Sequence, residues 1–371
     1  MRIHYFSAVS FPSKTANSIH IVKMCNALAA LGHEVTLFGY KTDKHLSSQV
    51  IHNYYETNSN FKIILFKKYP LPYFERFFGF IFALNSFFSK VDLVFGRNIN
   101  GCFFACYLGL TTIFESHAPI KFSGKVSEYL FRRMIRSKWF LAFVSITNSL
   151  TKVYEDEYPG LKNRIITLPD GADEVKGYCQ NQIMKENPGK FKVGYAGHLY
   201  PGKGMEVISV LSSITPQDVI FDIVGGNVKD IEHWKSFSKS PNITFHGFVE
   251  HNKVKDYIKE FQVVLLPNQK IVKSNAGVDI GSWTSPLKMF EYMAQGKAII
   301  ASDIPVLKEV LIDGHNALLV QSDDIEAWGK AILKLKDNPS LRESLGMNAK
   351  LDFESKYTWK KRAERLINFI K

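Results

Sequence analysis

Short apolar runs recur along the whole chain, separated by stretches whose apolar positions return at helical spacing. The first run, IHYFSAV (3–9), reads as a buried strand, 18–31 as a helix, and HEVTLFG (33–39), entered through Gly32, as the next strand. FKIILF (61–66), DLVFG (92–96), TTIFES (111–116), FLAFVSI (140–146) and RIITLP (164–169) continue the series, with helical stretches between most of them. Buried strands alternating with helices are the signature of βαβ units and a parallel sheet. Residues 170–190 lose this rhythm; they are polar, carry Gly, Pro and Asn, and read as a domain linker. The rhythm restarts with FKVGYAG (191–197), VIFDIVGG (219–226), ITFHGF (243–248), VVLLPN (263–268), KAIIAS (297–302) and ALLV (317–320). The tail from about 324 is helical, with breaks near Asn338-Pro339 and Thr358. The expected fold class is therefore α/β, with two doubly wound, Rossmann-like domains in tandem facing a cleft. Ligands of such sheets bind at the carboxyl ends of the strands, so chemistry is expected in the strand-to-helix loops.

A length of 371 residues agrees with two domains, because single cores stop growing below that size. Hydrophobic residues make up 46% and charged residues 22%, a globular balance that excludes a disordered chain. The formal net charge of +12 suits an anionic partner: nucleic acid, a phosphorylated substrate or an acidic membrane. The plain alternative is a solubility charge. Cys25, Cys102, Cys106 and Cys179 form no C-x-x-C pair and no zinc pattern, and read as buried thiols of a reducing compartment. The start, MRIHYFSAVSFPSK, lacks the apolar core of a signal peptide, and no run reaches the roughly 18 apolar residues of a membrane span. A cytoplasmic protein is expected.

Four loops carry candidate chemistry. Gly197-His198-Leu199-Tyr200-Pro201-Gly202-Lys203-Gly204 follows a strand and opens a helix; small residues let the backbone approach an anion and Lys203 supplies a charge. The run approaches a P-loop but has Gly204 where Ser or Thr would hold magnesium, which weighs against an ATPase. In Ser285-Pro286-Leu287-Lys288, Ser285 is a good N-cap and Pro286 suits the first helical position. Lys288 and Glu291 then share a face, an order that fits phosphates at the helix amides and ribose hydroxyls at the carboxylate. An ordinary capped helix with an ion pair would look the same. His117, in Glu115-Ser116-His117, ends a strand and projects toward the expected cleft. The first loop, Ser10 to His20, lacks G-x-G-x-x-G and no acidic residue ends the next strand, against a dinucleotide-dependent dehydrogenase.

Taken in order, IHIVKMCNALAALGHEVTLFG, LPDGAD (168–173), YAGHLYPGKG, FDIVGG, NITFHGFV, VVLLPN, SPLKMFEYMAQGKAIIASD and DGHNALLV (313–320) resemble the retaining, family-four type of GT-B glycosyltransferases, in its S-P-x-K variant. The resemblance implies an acceptor domain at 1–172, a nucleotide-sugar donor domain at 190–352, and a last helix (353–371) packing back on the first domain. It implies that Glu291 binds the ribose, Lys203 the diphosphate, and His117 lies near the donor sugar. Asn17 and Ser18 fall at the loop facing the diphosphate, and Gly197 and His198 line the donor site with Ser285, Pro286, Leu287 and Lys288. The first glutamate of the family's pair becomes Trp283, and the usual arginine becomes His198; Lys288 stands to replace that cation. The family uses no metal and no other cofactor, and no Asp-x-Asp at a strand end asks for one. The reaction implied is bacterial-polysaccharide-type glycosyl transfer from a nucleoside diphosphate sugar to a glycan or polyprenyl-linked acceptor, with His117, Lys203 and Lys288 as catalytic groups.

A nucleotide-sugar epimerase on the same fold would need acid/base groups beyond His117. A nucleic-acid-binding protein would interleave cations with exposed aromatics, whereas here nine of the 29 Phe crowd into 61–90. Within 73–90, Glu75, Arg76, Gly79, Ser86 and Lys90 recur at near-helical spacing and leave a wide Phe-rich face containing Phe77, Phe78 and Phe82. With Arg132, Arg133 and Arg136 in the same domain, this is the composition of a surface lying on an anionic membrane, at its inner face for a cytoplasmic protein. The same helix packed inward on its own sheet is the alternative.

Overall fold

The computed structural model describes residues 1–41, 46–69, 73–175, 189–238, 240–272 and 279–371. In chain order its first elements are β1 (Arg2–Phe11), α1 (Ala16–Ala30), β2 (Glu34–Lys41), α2 (Ser48–Tyr54), β3 (Lys62–Lys67), α3 (Phe74–Phe88), β4 (Leu93–Gly96), α4 (Ile99–Tyr107), β5 (Thr112–Glu115), α5 (Lys125–Met134), β6 (Phe140–Ser145), α6 (Asn148–Glu157) and β7 (Ile165–Thr167). Then follow β8 (Phe191–Ala196), α7 (Met205–Ile214), β9 (Val219–Val224), α8 (Val228–Phe237), β10 (Ile243–Gly247), α9 (His251–Glu260), β11 (Val263–Leu266), α10 (Leu287–Ala294), β12 (Ala298–Ser302), α11 (Pro305–Lys308), β13 (Leu318–Val320), α12 (Ile325–Asp337), α13 (Pro339–Lys356) and α14 (Trp359–Ile370). The chain divides into two compact units, Met1–Asp170 with Trp359–Lys371, and Gly171–Thr358. Most of the polar stretch 170–190, including Cys179, lies outside the described residues.

The first unit holds a seven-stranded sheet in the order β3-β2-β1-β4-β5-β6-β7 and the second a six-stranded sheet in the order β10-β9-β8-β11-β12-β13, with parallel neighbours throughout. These are two Rossmann-like domains. Strand order reverses between β1 and β4 in one and between β8 and β11 in the other. The crevices that such reversals open at the carboxyl ends are where this fold binds ligands. The strands are apolar on both faces because helices cover both faces. In the second unit one layer of core packs α10 and Phe353 of α13 on the sheet, and the other packs α7, Trp328 and Ile332.

The last helix begins at Trp359, not at 353. Residues 339–356 form one helix that stops at its C-cap Tyr357, whose carbonyl accepts from the Ala172 amide. α14 packs on α1.

The Phe-rich helix corrects one expectation. Phe82 is fully buried against the rings of Phe6, Phe38 and Phe66, and Phe78 is half-buried on Phe66 and Phe74. Two of the supposed outer polar positions face inward. Gly79 lets α4 approach so closely that a Cβ there would lie 2.7 Å from the Gly101 nitrogen. Ser86 donates to the Phe82 carbonyl and meets His4 Nδ1 at 2.7 Å. The exposed aromatic set is instead Tyr73, Phe77 (60% exposed), Phe80, Phe87 and Phe88 (77%). Arg132, Arg133 and Arg136 are exposed on or just after α5, Arg132 paired with Glu128 at 2.7 Å. Among the described residues no helix is long and apolar enough to cross a membrane.

Candidate active site

In the second unit the loop after β8 is a locked turn. Gly197, Gly202 and Gly204 all take positive φ (148°, 85° and 100°), and side chains at 202 or 204 would meet the carbonyls of Ile271 and Pro267 at 2.3 Å. The Glu206 carboxylate accepts from the amides of Gly202 (2.9 Å) and Gly204 (3.2 Å). Those amides are therefore spent inside the turn, which removes the phosphate cradle that a P-loop would need. What the turn presents is Lys203, buried to 8% exposure yet without a carboxylate partner among the described residues. Burial lowers its pKa to about 8.

Lys288, on the first turn of α10, comes to the same place. Its Nζ is buried, has no hydrogen-bond partner among the described residues, and stands 3.7 Å from the centre of the Tyr195 ring. A Cβ at Gly197 would lie 3.5–3.6 Å from the end of this lysine. Burial, then the charge of Lys203, holds Lys288 well below the ordinary lysine value, against a smaller opposing pull from Glu291. The seam is fixed by tyrosines: Tyr292 of α10 accepts from the Ala196 amide at 2.7 Å, and Tyr195 donates to the His198 carbonyl at 2.7 Å. His198 itself is exposed and stacks on Tyr200.

The helix start differs by one residue from the sequence expectation. Pro286, not Ser285, is the N-cap; its ψ of 119° is extended, and its carbonyl takes the first turn's bond from the Met289 amide. Ser285, Pro286 and Leu287 are buried, and no side chain caps the helix start. Glu291 lies on α10 one turn after Leu287, and His251 Nε2 holds its Oε1 at 2.7 Å. His251, the first residue of α9, carried no sequence signal. Trp283 closes a short turn, Gly281–Trp283.

The first unit carries a separate polar cluster. His117 Nε2 meets Glu115 Oε1 at 2.6 Å, Arg362 of α14 meets the same oxygen at 3.0 Å, and His20 Nε2 lies 2.8 Å from it, off-line for a hydrogen bond. His20 Nδ1 meets Asp170 Oδ1 at 2.6 Å, and Arg362 also donates to the carbonyls of Pro169 and Leu168. Burial raises Glu115, but Arg362, His20 and the bond from His117 outweigh it and hold the carboxyl well below the usual range. Burial, then the charge of Arg97, lowers His117 to about 3. His117 is thus neutral; with Nε2–H donating to Glu115, its Nδ1 is left as an acceptor. His20, Glu115 and His117 have metal-ligand spacing, with ligand atoms within 4.8 Å of one another. They fit a metal poorly, because one oxygen joins them directly and a guanidinium already lies against it.

Of the two α1 residues expected near a diphosphate, Ser18 is buried and spends its hydroxyl on the Ser13 and Thr15 carbonyls, both at 2.8 Å. Asn17 keeps a buried Oδ1 with no partner among the described residues. The structure thus gathers Gly197, Lys203, Lys288 and Glu291 in one unit and Asn17, Ser18 and His117 in the other. Sequence reasoning missed Glu206, His251, Arg97, His20, Asp170 and Arg362. His20 and Asp170 lay inside motifs of the resemblance, and Glu206 stood just beyond the glycine turn; His251, Arg97 and Arg362 had no local pattern.

Residues 18–176 match the family model "Glycosyltransferase Family 4" and residues 180–352 match "Glycosyl transferases group 1". An uncharacterized glycosyltransferase of Methanocaldococcus jannaschii is 30% identical over 207 residues, covering 53% of this chain and 51% of that protein, so the match spans about half of that relative's length. A second one from the same organism is 23% identical over 329 residues, 83% of this chain and 84% of that protein. Among solved structures, Anabaena Alr3699/HepE in complex with UDP superposes with a TM-score of 0.72 over 99% of both chains at 12% identity, a likeness of fold.

Proposed function

Because the chain belongs to the family-four, group-one glycosyltransferases of GT-B fold, we propose that it moves a hexosyl group from a nucleoside diphosphate sugar to a glycan or polyprenyl-linked acceptor, with retention and without a metal. The observation that carries the donor reading is the pair Lys203 and Lys288. Two buried lysines side by side, neither hydrogen-bonded to a carboxylate among the described residues, hold their charge best with an anion against them, and a diphosphate supplies that charge. As the glycosidic bond breaks, negative charge grows on the leaving diphosphate, and fixed cations that need no reorganisation lower that barrier. Glu291, held by His251, receives the ribose hydroxyls. His117 offers a neutral acceptor nitrogen to a sugar hydroxyl, and the acceptor attacks on the face the diphosphate leaves, which takes its proton. A group held near pKa 3 is no acid at neutral pH, which weighs against the epimerase.

HepE has been solved with UDP and with UDP-glucose, which makes uridine nucleotides the first probes. Calorimetry with UDP, and mass spectrometry of UDP-sugar hydrolysis, test the proposal. Wild-type protein binds UDP and hydrolyses one sugar slowly; Lys203→Ala and Lys288→Ala each weaken binding while retaining the fold. UDP affinity unchanged in both variants refutes the donor site.

A lipid-linked acceptor is favoured by the exposed Tyr73, Phe77, Phe87 and Phe88 together with the exposed cations of α5. Phe77→Ser/Phe87→Ser/Phe88→Ser should abolish sedimentation with anionic liposomes at unchanged thermal stability. A wild-type protein that ignores such liposomes at low salt sinks the membrane reading.

A further inference from the structure

Arg97 follows the last residue of β4, the strand at which the first sheet reverses its order. Its amide bonds the Phe6 carbonyl of β1, and on the other side Gly96 pairs with Phe114, which places Arg97 level with Glu115. It therefore stands at the carboxyl-end crevice of the first unit, the position at which a doubly wound sheet takes ligand. The side chain is half-buried, and its Nη1 is fully buried with no hydrogen-bond partner among the described residues. Tyr5 Oη, on the neighbouring strand, and Asn17 Oδ1, in the first turn of the following helix, are likewise buried and unpartnered.

The carboxylates of this region have donors of their own, although Glu115 Oε2 is buried without a partner among the described residues. Glu115 Oε1 takes His117, and Arg362 lies at 3.0 Å; Asp170 takes His20. Arg97 Nη1 bonds neither carboxylate. A buried, unpaired guanidinium N–H is costly, and its planar fork matches the paired oxygens of a phosphoryl group. The donor diphosphate already has its own cations, Lys203 and Lys288, in the second unit.

We propose that Arg97, with the Tyr5 hydroxyl near it, is the docking point for a phosphoryl or diphosphoryl group carried by the acceptor. The site makes the enzyme selective for acceptors whose first sugar or lipid is phosphorylated. This deepens the glycosyltransferase reading and rests on it for the word acceptor, but the anion site itself does not depend on the donor assignment.

Inorganic pyrophosphate is the probe, titrated by calorimetry into four forms of the full chain: wild type, Lys203→Ala/Lys288→Ala, the same double variant with Arg97→Gln, and Arg97→Gln alone. The double variant is expected to keep one pyrophosphate site, and adding Arg97→Gln to weaken it roughly ten- to hundredfold, the loss of one or two charged hydrogen bonds. Arg97→Gln alone should leave UDP affinity unchanged. If Arg97→Gln unfolds, Arg97→Lys, which keeps charge but loses the fork, should show a smaller loss. No pyrophosphate site in the double variant, or one indifferent to both Arg97 changes, overturns the proposal. A fall in UDP affinity on Arg97→Gln assigns the phosphoryl group to the donor and also overturns it. Failure of the donor reading looks different: the wild type and the lysine double variant would then bind pyrophosphate alike.

Discussion

On the proposed assignment the two buried lysines make donor binding a proton-linked event, and its sign follows from their environment. Burial disfavours the charge of Lys203 and lowers its pKa from the ordinary 10.5 to about 8. A bound diphosphate restores the charged form, so the complex binds more protons than the free protein wherever the free lysine has lost its own. Below pH 8 Lys203 is already charged and contributes no slope. Above it, affinity falls by up to tenfold per pH unit, so that from pH 7 to pH 9 Lys203 alone costs about tenfold, or about 1.4 kcal/mol. Lys288, also lowered, adds slope of the same sign. Titrating UDP by calorimetry at pH 7, 8 and 9, in two buffers of different ionisation heat, reads the effect twice: as a falling affinity and as proton uptake. This range lies above the terminal phosphate's own pKa of about 6, so the diphosphate's charge stays nearly constant. Lys203→Met should flatten the Lys203 part of the curve. A dissociation constant that is the same at pH 7 and 9, with heats independent of buffer, would mean that neither lysine meets the diphosphate.

Glu291→Ala should weaken UDP by roughly 1.5–3 kcal/mol through lost charged hydrogen bonds to the ribose, and His251→Ala by less; equal affinity in calorimetry would remove Glu291 from the nucleotide. His117→Ala should lower kcat while UDP affinity stays near wild type, and an unfolded variant would instead make His117 a structural residue. Arg362→Met should cost about 3–5 kcal/mol in denaturant unfolding, because it strands Glu115 in the interior. Glu115 and Asp170 are both held below their ordinary range, so their stabilisation is present at neutral pH and lost as pH falls through the ordinary carboxylate range toward their lowered values. Phe82→Ala should cost about 3–5 kcal/mol and Phe77→Ser almost nothing, a contrast that thermal melts will show.

Much of the fold was legible because parallel strands buried on both faces leave continuous apolar runs, and each run from 3–9 to 317–320 corresponds to a strand. Helix ends were less so: Pro286 looked like a first helical residue, but its ψ is set by the turn before it, which sequence does not display. The Phe-rich helix was misread for a related reason. Gly79 and Ser86 look polar on a helical wheel, yet one serves close packing on α4 and the other bonds His4 across the core. Residues at strand ends with a lysine or glutamate at loop spacing could be picked out. His251, Arg97 and Arg362 could not, since each reaches its partner or its crevice through the sheet order rather than through neighbours in sequence.

The two units treat buried charge in opposite ways, and the difference has a functional reading. In the first unit Glu115 accepts from His117 and from Arg362 of the last helix, with the His20 ring close beside it. Such a network holds His117 in one tautomer and one orientation, because moving the ring would leave a buried carboxylate short of a donor. In the second unit no carboxylate among the described residues hydrogen-bonds Lys203 or Lys288; Glu291 acts on Lys288 only as a weaker opposing charge, and Glu206 is occupied with the turn's amides. With Glu206 tied to the turn's amides, the proposed donor site keeps its lysines' charge for a ligand. On that reasoning Glu206→Gln, which keeps the acceptor oxygen but not the charge, should leave UDP affinity within a few-fold of wild type. Glu206→Lys, which breaks the turn, should abolish binding. If Glu206→Gln instead tightens UDP about tenfold or more, Glu206 is acting as the lysines' counter-charge, and the empty site is neutral after all.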